Sequence, residues 1–418
     1  MAQGSSAYNI VSNEVSYKNS PNIDAFGRLR VSTPFTLFDS SHRYADNGLW
    51  ASSSALGATS QFNSNQGLVD LIVQTTSGSE VVRETTKVFA YQPGKSLLVL
   101  STFVMSPAKT NLRQRVGYYG TNNGYYLEQD NFTISFVERS FVNTGSPENT
   151  LIAKADWNVD KMDGTGPSGI LLDLSKAQIL FMDLEWLGVG TVRMGFVIDG
   201  NFHVCHKFHH ANVINSTYIT TASLPLRYEI KSTGIISTPS SLKQICSTVL
   251  SEGGYELYGL QQAISIPVQS PRTLGTAGTF YPVISLRLKT SPNRLDAIVI
   301  LTALSIMPIT GGNYNWQVVA TGTTTGGDWT DASANSSVQY KINGTSFSFT
   351  GGRILASGFF NASNQGATIV DILKEALFKF QLERNSLTST PYELTLVIAS
   401  DSADDEVVAS MDWEEISR

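Results

Sequence analysis

Apolar and polar residues alternate along much of the chain, and this alternation predicts β-strands. In the stretch NFTISFVERSF, Phe132, Ile134 and Phe136 share one face, because successive side chains of a strand point to opposite sides of a sheet. One apolar face and one polar face are typical of an antiparallel strand that is buried on one side only. The pattern therefore favours antiparallel sheets.

Two groups of strands are predicted to be neighbours both in the chain and in space. Residues 79–91 and 95–105 (SEVVRETTKVFAY and KSLLVLSTFVM) flank a QPG turn and are predicted to form a hairpin. Three strands follow one another between residues 178 and 208, and the DG dipeptide at 199–200 is typical of a type I′ turn. These three strands predict a β-meander within a sandwich or jelly roll.

The segment GATIVDILKEALFKFQLERN, residues 366–385, departs from this alternation and predicts one amphipathic helix. Its apolar residues recur at the i, i+3 and i+4 spacing of a helix face. They are Ile369, Ile372, Leu373, Ala376, Leu377 and Phe380. Before this segment, the Gly- and Thr-rich residues 320–337 predict a linker or a long loop.

The final residues, 401–418, carry seven acids and one arginine. A run of this kind predicts a solvated tail. The alternative is that its apolar residues dock on a partner; these are Val407, Val408, Met411 and Trp413.

The predicted fold class is mostly β, with antiparallel sandwich or jelly-roll domains and the one helix near the C-terminus. Residues 1–50 are predicted to be an N-terminal arm with anchoring strands, and 51–235 a jelly-roll-like core. Residues 236–320 are a further β region that either joins this core or stands beside it. Residues 321–418 are predicted to be a C-terminal β domain that contains the helix and the acidic tail.

Composition and charge exclude several classes of protein. A chain of 418 residues suffices for two or three domains. Its net charge of −6 offers no basic patch for nucleic acid, and no apolar run reaches the ~18 to 20 residues of a membrane span. The first residues lack the basic and apolar regions of a secretory signal, which predicts synthesis in a cytoplasm. Cys205 and Cys246 allow one disulfide at most, and two free thiols are expected.

The stretch NFHVCHKFHH, residues 201–210, holds four of the five histidines. Strand alternation predicts that His203, Cys205, Lys207 and His209 share one face, and that Val204, His206, Phe208 and His210 share the other. At a rise of ~3.3 Å per residue, His203 and His209 lie roughly 20 Å apart, too far to bind one metal ion. Zinc needs three or four ligands, and no CxxC or HExxH spacing is present. The cluster is therefore predicted to be structural, without a metal ion.

Asp183 and Glu185 are two residues apart on one strand, with Trp186 beside them. Retaining glycoside hydrolases use two carboxyl groups about 5 to 5.5 Å apart. Phe181 stands at the position of the first Glu of the E-x-D-x-E strand of concanavalin-like hydrolases, so one of the two chemical carboxylates is missing. We therefore predict no enzyme, no catalytic residue and no cofactor, and keep a glycan-cleaving enzyme as an alternative.

Two sets of residues are candidates for contacts with other molecules. The stretch GYYGTNNGYY supplies a candidate aromatic platform for glycans, with packing inside a hairpin as the alternative; its members are Tyr118, Tyr119, Tyr125 and Tyr126. The candidate assembly contacts are Arg28, Arg30 and Trp413. The two arginines share one strand face, where they would pair with acids of another subunit or lie on a solvated surface.

Several longer stretches resemble a family of tailed-phage virion proteins that is common in phages of marine bacteria and cyanobacteria, with relatives in viruses of algae. The stretches DAFGRLRVS and DLEWLGVGTVR carry most of the resemblance, and LPLRYEI and LKQICSTV with the following SEGGYE add to it. The resemblance covers residues 24 to 290 and is less distinct beyond them. It implies a structural protein, and no catalytic residue is transferred with it.

The resemblance implies a non-enzymatic building block of a spike, fibre, neck or tail appendage, or capsid decoration. Its expected partners are further copies of itself, as a trimer, and other virion proteins such as capsid, portal, neck or tail proteins. The expected location is the virion, after synthesis in the host cytoplasm. A module that binds host surface glycans is the alternative function.

Overall fold

The computed structural model of the protein describes residues 8–11, 14–17, 23–142, 145–256, 258–342, 347–362, 368–370 and 379–417. Within these residues the fold is almost entirely antiparallel β, as predicted. The one described helical element is a 3₁₀ turn at Lys154–Asp156. None of the described helical residues forms a segment that is long and apolar enough to span a membrane.

Contacts among the described residues divide the chain into two units. Unit 1 runs to Thr85 and continues from Phe89 to Tyr255, and unit 2 comprises Thr86–Val88 and the residues from Glu256 onwards. The boundaries predicted from the sequence after residues 235 and 320 do not coincide with this division. The boundaries differ because strand pairing joins the segments on either side of both positions.

The described residues of unit 1 form seventeen strands. They are β1 (Tyr8–Val11), β2 (Glu14–Tyr17), β3 (Phe35–Ser41), β4 (Trp50–Ala55), β5 (Thr59–Asn63), β6 (Leu68–Val73), β7 (Glu80–Thr85), β8 (Leu97–Val104), β9 (Leu112–Tyr119), β10 (Gly124–Asp130), β11 (Thr133–Ser140), β12 (Glu148–Ala153), β13 (Gln178–Leu184), β14 (Val192–Ile198), β15 (Asn201–Phe208), β16 (Leu226–Ser232) and β17 (Ser240–Ser251).

Two antiparallel sheets form a sandwich in unit 1. One has the strand order β12-β11-β10-β9-β16-β7-β4, and the other has the order β15-β14-β13-β8-β17-β6-β5, with β3 paired to β17. The sheets face each other, since the rings of Phe136 (β11) and Phe196 (β14) lie 6.2 Å apart, and Tyr228 (β16) is hydrogen-bonded to Ser247 (β17) at 2.8 Å. The chain passes repeatedly from one sheet to the other, as in a jelly roll.

The predicted meander is confirmed, and the predicted hairpin is wrong. Strands β13, β14 and β15 are antiparallel neighbours, and Asp199 and Gly200 have the positive φ angles, 51° and 76°, of a type I′ turn. Strands β7 and β8 belong to different sheets. Their apolar faces cover the same core from opposite sides, so the connection between them crosses the sandwich instead of forming a tight turn.

Fourteen strands lie in the part of unit 2 that the structure describes. They are β18 (Leu260–Ser265), β19 (Arg272–Leu274), β20 (Tyr281–Leu288), β21 (Ile298–Pro308), β22 (Asn313–Thr325), β23 (Thr330–Asp331), β24 (Val338–Lys341), β25 (Ser348–Thr350), β26 (Arg353–Asn361), β27 (Thr368–Val370), β28 (Arg384–Asn385), β29 (Thr390–Pro391), β30 (Glu393–Ser400) and β31 (Asp405–Ser417).

Two larger sheets enclose the core of unit 2. One has the order β18-β31-β21-β27, with β19 paired to β31, and the other has the order β23-β24-β20-β30-β22-β25, with β26 paired to β22. Both sheets contribute to one hydrophobic cluster, which includes Trp413 of β31, Leu304 of β21 and Trp316 of β22.

The acidic C-terminal segment is a core strand, so the prediction of a solvated tail is wrong. Strand β31 pairs with β21 on one edge and with β18 and β19 on the other. Trp413 is fully buried inside unit 2, which leaves no exposed ring for the predicted assembly contact. The buried carboxylate of Glu415 accepts hydrogen bonds from Ser336, from the Ser337 N–H at 2.9 Å and from Trp413 Nε1 at 3.1 Å, which satisfies its charge.

Two other predictions fall in this half of the chain: the linker at residues 320–337 and the helix at residues 366–385. The Gly- and Thr-rich residues 320–337 are not a linker, since they include the end of β22 and all of β23. At the start of the predicted helix, Thr368–Val370 form β27 and pair with β21. These β-branched residues suit the edge of a sheet. Residues 371–378, which hold most of the predicted apolar stripe, lie outside the described residues.

Candidate functional site

The stretches that carry the resemblance to virion proteins meet in unit 1 in one cluster of charges, which is largely buried, with Arg28 at its exposed edge. Two of them are the N-terminal DAFGRLRVS and the DLEWLGVGTVR of β13 and β14, and the third is the SEGGYE that follows β17. We call the residues that they contribute, together with one serine, the Asp183 cluster. Its members are Asp24, Arg28, Arg30, Ser96, Asp183, Arg193 and Glu252.

Asp183 lies at the centre of this cluster and is fully buried. Arg30 Nη2 donates a hydrogen bond to Asp183 Oδ2 at 2.5 Å, and Arg193 Nη2 donates to the same oxygen. Ser96 Oγ donates to Oδ1 at 2.5 Å. Arg193 stands directly opposite Asp183 in the pairing of β14 with β13. Two cations and a hydroxyl therefore compensate the buried carboxylate.

The two arginines predicted as assembly contacts are bound to acids of their own chain. Arg30 pairs with Glu252 as well as Asp183. Arg28 pairs with Asp24 at 2.7 Å and donates to the carbonyl oxygen of Gly94 at 3.0 Å. The bonds of Arg30 and the Arg28–Gly94 bond fasten the segment DAFGRLRVS to the rest of unit 1, whereas the Arg28–Asp24 pair lies within the segment. The two arginines therefore act within the unit and do not present unpaired charges to a second subunit.

The same contacts disfavour the alternative function, that of a glycan-cleaving enzyme. Two carboxyl groups must reach the substrate for that chemistry. Asp183 is enclosed by its three donors, whereas Glu185 is partly exposed and burial raises the pKa of its carboxyl. Asp183 and Glu185 thus do not form a pair of accessible carboxylates.

The four tyrosines predicted as a glycan platform are all buried in unit 1, with at most 3% of each residue exposed. The Tyr118 hydroxyl donates to the carbonyl oxygen of Ala222 at 2.8 Å, and the Tyr125 hydroxyl donates to Glu138. Tyr119 and Tyr126 pack against each other with ring centroids 4.4 Å apart. Buried rings cannot stack on a glycan, so this prediction is wrong and the alternative of packing holds.

The histidine stretch forms β15, but its side chains do not alternate as predicted. A β-bulge opposite Met194 and Gly195 inserts Cys205 into the strand. His203 and His206 therefore oppose Phe196 and Met194, two residues that share one face of β14. Gly195 is needed at the bulge, because a Cβ atom there would lie 2.0 Å from the carbonyl oxygen of His203.

His210 is the histidine of this stretch with the closest polar contacts. Its Nδ1 lies 2.6 Å from the carbonyl oxygen of Gly190, and its Nε2 lies 2.7 Å from Glu138 Oε2. The ring also stacks on Tyr218 at 3.9 Å. These contacts tie the end of β15 to β11.

Among the described residues, no group of three or more His, Cys, Asp and Glu side chains is placed to hold a metal ion. Both cysteines are free thiols. Burial raises the pKa of the Cys205 thiol, which makes it unreactive.

The stability of unit 1 is expected to fall as the pH is lowered from about 6.5 to about 4, in part because of His206. Burial lowers the pKa of His206 from 6.5 to about 4, and its Nδ1 accepts the Asn158 N–H at 3.3 Å as a neutral ring. In this pH range the unfolded chain binds a proton that the folded chain does not, so folding is penalised. Urea unfolding of the wild type and His206→Gln across the range should give a shallower pH dependence for the variant. Equal slopes would contradict the prediction.

A cavity of about 600 Å³ opens in unit 2 at one end of four neighbouring strands, β26, β22, β30 and β20. Cross-strand neighbours share a face of a sheet, and two such rows line this cavity. One row is Asn361, Asn313 and Asp401, and the other is Phe359, Asn315 and Ala399. Phe280 and Gly278 close one side. We call this site the Phe359 groove.

The groove combines an exposed aromatic ring with hydrogen-bonding groups. Phe359 is 79% exposed. Asn313 donates from its side chain to Asp401 Oδ2 at 2.6 Å and from its backbone to Oδ1 at 3.1 Å. The hydrogen bond from the Asn313 side chain lowers the pKa of Asp401, which keeps the carboxylate charged. Beneath the groove, Tyr314 stacks on Phe360 at 4.9 Å and supports the adjoining strands.

Sequence reasoning missed this groove because its residues come from four segments spread between 278 and 401. The FF pair of RILASGFFN was the available signal. In an alternating strand, two consecutive phenylalanines must point to opposite faces. Phe360 packs beneath the sheet, and Phe359 is left in solvent.

Comparisons with known proteins give similarities to solved structures alone. No family model matches the sequence, and no curated protein matches it. The carbohydrate recognition domain of Emp47p is 12% identical, with a TM-score of 0.34 over 54% of this chain and 99% of that one. Bacillus licheniformis β-glucanase is 12% identical, with a TM-score of 0.33 over 52% and 98%. A Bacteroides ovatus family 16 endo-glucanase is 9% identical, with a TM-score of 0.35 over 51% and 99%. Values this low say nothing about what the present chain binds.

Proposed function

We propose that the chain is a non-enzymatic structural protein of a tailed-phage particle. One observation carries the proposal. The residues that make the sequence resemble virion proteins converge on the Asp183 cluster, which is internally neutralised and is largely buried, with Arg28 at its exposed edge. A set of catalytic residues would line an open cleft, whereas these residues hold a segment of backbone on a β-sandwich. They are thus a signature of a scaffold.

In this role the protein acts by self-association, as a trimer, and by docking on other virion proteins. Closed rotational symmetry is the usual solution for a homo-oligomer. The fastened N-terminal segment supports the proposal, because it presents apolar side chains outward: Leu29 is 50% and Val31 is 86% exposed. The Asp183 cluster would keep this surface in a fixed conformation for docking.

Quantitative mass spectrometry of purified phage particles tests this function. The chain is expected in the particle at a fixed ratio to the major capsid protein. Hundreds of copies would indicate a head decoration, and a few tens or fewer, in a multiple of three, would indicate a spike, collar or fibre. Absence from clean particles would overturn the proposal, and a host-cell protein of known abundance in the same preparation serves as the control for contamination.

Recognition of host surface glycans is a second candidate function, and the Phe359 groove favours it. The groove lies on a different unit from the Asp183 cluster, so one chain can serve both as a building block and as a receptor-binding part. With the four tyrosines buried, a glycan site must lie elsewhere on the surface, and the groove supplies an exposed aromatic ring beside amides.

A further inference from the structure

We infer that the Phe359 groove binds a neutral oligosaccharide, with Phe359 as the stacking platform. The inference rests on the second function proposed above and assigns it a site and a ligand class. The volume of about 600 Å³ falls within the roughly 300 to 1,000 Å³ of small-ligand sites. Such sites combine apolar walls with a few polar groups that fix orientation.

Phe359 presents an exposed aromatic ring to a ligand. Phe359 projects from β26 with 79% of its surface exposed, although its neighbour Phe360 packs against the core of unit 2. Exposure of a phenylalanine ring to water is unfavourable in free energy, and a ligand with an apolar face that covers the ring removes part of this penalty. The C–H face of a hexose ring is such a surface, and its flatness suits an aromatic ring.

The polar groups beside Phe359 match the hydroxyl groups of a sugar. Asn313, Asn315 and Asn361 line the groove; in the pairing of β22 with β26, Asn313 stands opposite Asn361 and Asn315 stands opposite Phe359. An amide side chain offers both donors and an acceptor. Hydroxyl groups also donate and accept, so a sugar edge matches these amides in a way that a purely apolar ligand does not. Two hydrogen bonds between Asn313 and Asp401 hold the first of them in place.

Charge decides which saccharides fit. None of the described residues that line the groove is a lysine, arginine or histidine, and Asp401 carries a negative charge. A uronic acid or a sulfated sugar would bring like charge to this carboxylate without a cation to offset it. A neutral sugar donates its hydroxyl protons to the same oxygens. The groove therefore selects neutral chains over acidic ones.

The test uses the full chain on an array of immobilised tetrasaccharides, neutral ones of glucose, galactose and mannose, and acidic ones that contain uronic acids. The best neutral binder is then titrated calorimetrically. The wild type is expected to bind neutral members, and Phe359→Ala to weaken that binding at least tenfold, roughly the effect of losing a central aromatic anchor. Phe359→Trp should retain binding. Phe132→Ala, which removes a phenylalanine that is 70% exposed on unit 1, is the matched control.

The possible outcomes distinguish a failure of the proposed binding site from a failure of the proposed glycan-binding function. If the wild type binds no glycan, the second function and this inference both fail. If it binds and Phe359→Ala binds equally well, glycan recognition stands and the groove is the wrong site. Binding to acidic members alone would overturn the ligand class. Phe359 is exposed, so its variants should fold, and circular dichroism confirms that a loss of binding is not a loss of structure.

Discussion

Replacing Asp183 by Asn is expected to destabilise unit 1 by about 3 to 5 kcal/mol, the usual cost of removing one partner from a buried ion pair. The substitution keeps the shape of the side chain and removes its charge. Arg30 would keep its ion pair with Glu252, whereas the ion pair between Arg193 and Asp183 would be lost, which leaves one positive charge uncompensated. Because that charge is desolvated, it cannot recover its lost interaction from water.

Urea unfolding, followed by circular dichroism, measures this change. Asp199→Asn is the control, since Asp199 is exposed in the type I′ turn and Asn tolerates its positive φ of 51°. The control is expected to stay within about 0.5 kcal/mol of the wild type. Hydrogen exchange should show the loss of protection in β8, β13 and β14. An Asp183→Asn variant as stable as the control would show that the cluster does not hold unit 1 together, and would remove the main support for the scaffold role.

Truncating Trp413 to Ala is expected to destabilise unit 2 by about 3 to 5 kcal/mol, as large-to-small changes in a core do. Trp413 is fully buried among side chains of both sheets, and its Nε1 donates to the buried carboxylate of Glu415 at 3.1 Å. The variant therefore leaves a cavity and also removes one donor from a buried charge. Hydrogen exchange should locate the change in β21 and β31.

Phe359→Ala is the control for this second variant, because it removes an exposed aromatic ring from the same unit and should change stability little. The two rival interpretations of Trp413 predict opposite results. A core residue affects stability at every protein concentration, whereas a docking residue affects self-association and leaves the isolated chain stable. Normal stability combined with weakened association would restore the assembly contact predicted from the sequence.

Local sequence patterns predicted the class of fold and one supersecondary motif. Alternation indicated antiparallel sheets, and the dipeptide at 199–200 located the turn between β14 and β15. These features depend on residues close together in the chain. The hairpin predicted at residues 79–105 failed because alternation shows that a strand has an apolar face, but not in which of two facing sheets the strand lies.

The candidate contacts failed for a related reason. Tyr118 and Tyr119 point to opposite faces of β9, and both are buried because both faces of this strand are covered, which local sequence does not reveal. The Asp183 cluster was also beyond local reasoning, since Asp24, Asp183 and Glu252 are brought together by pairing across the whole unit. The sequence resemblance marked these residues without showing that they touch.

The position of β16 and β17 has a consequence for the order in which unit 1 folds. Each is the central link of its sheet, since β16 joins β9 to β7 and β17 joins β8 to β6. Until residues 226–251 arrive, each sheet consists of two separate halves with open edges that invite pairing with other chains. Contacts between such distant segments close slowly. Nascent unit 1 is therefore most exposed to aggregation just before this pair of strands inserts, when its halves are formed and not yet joined.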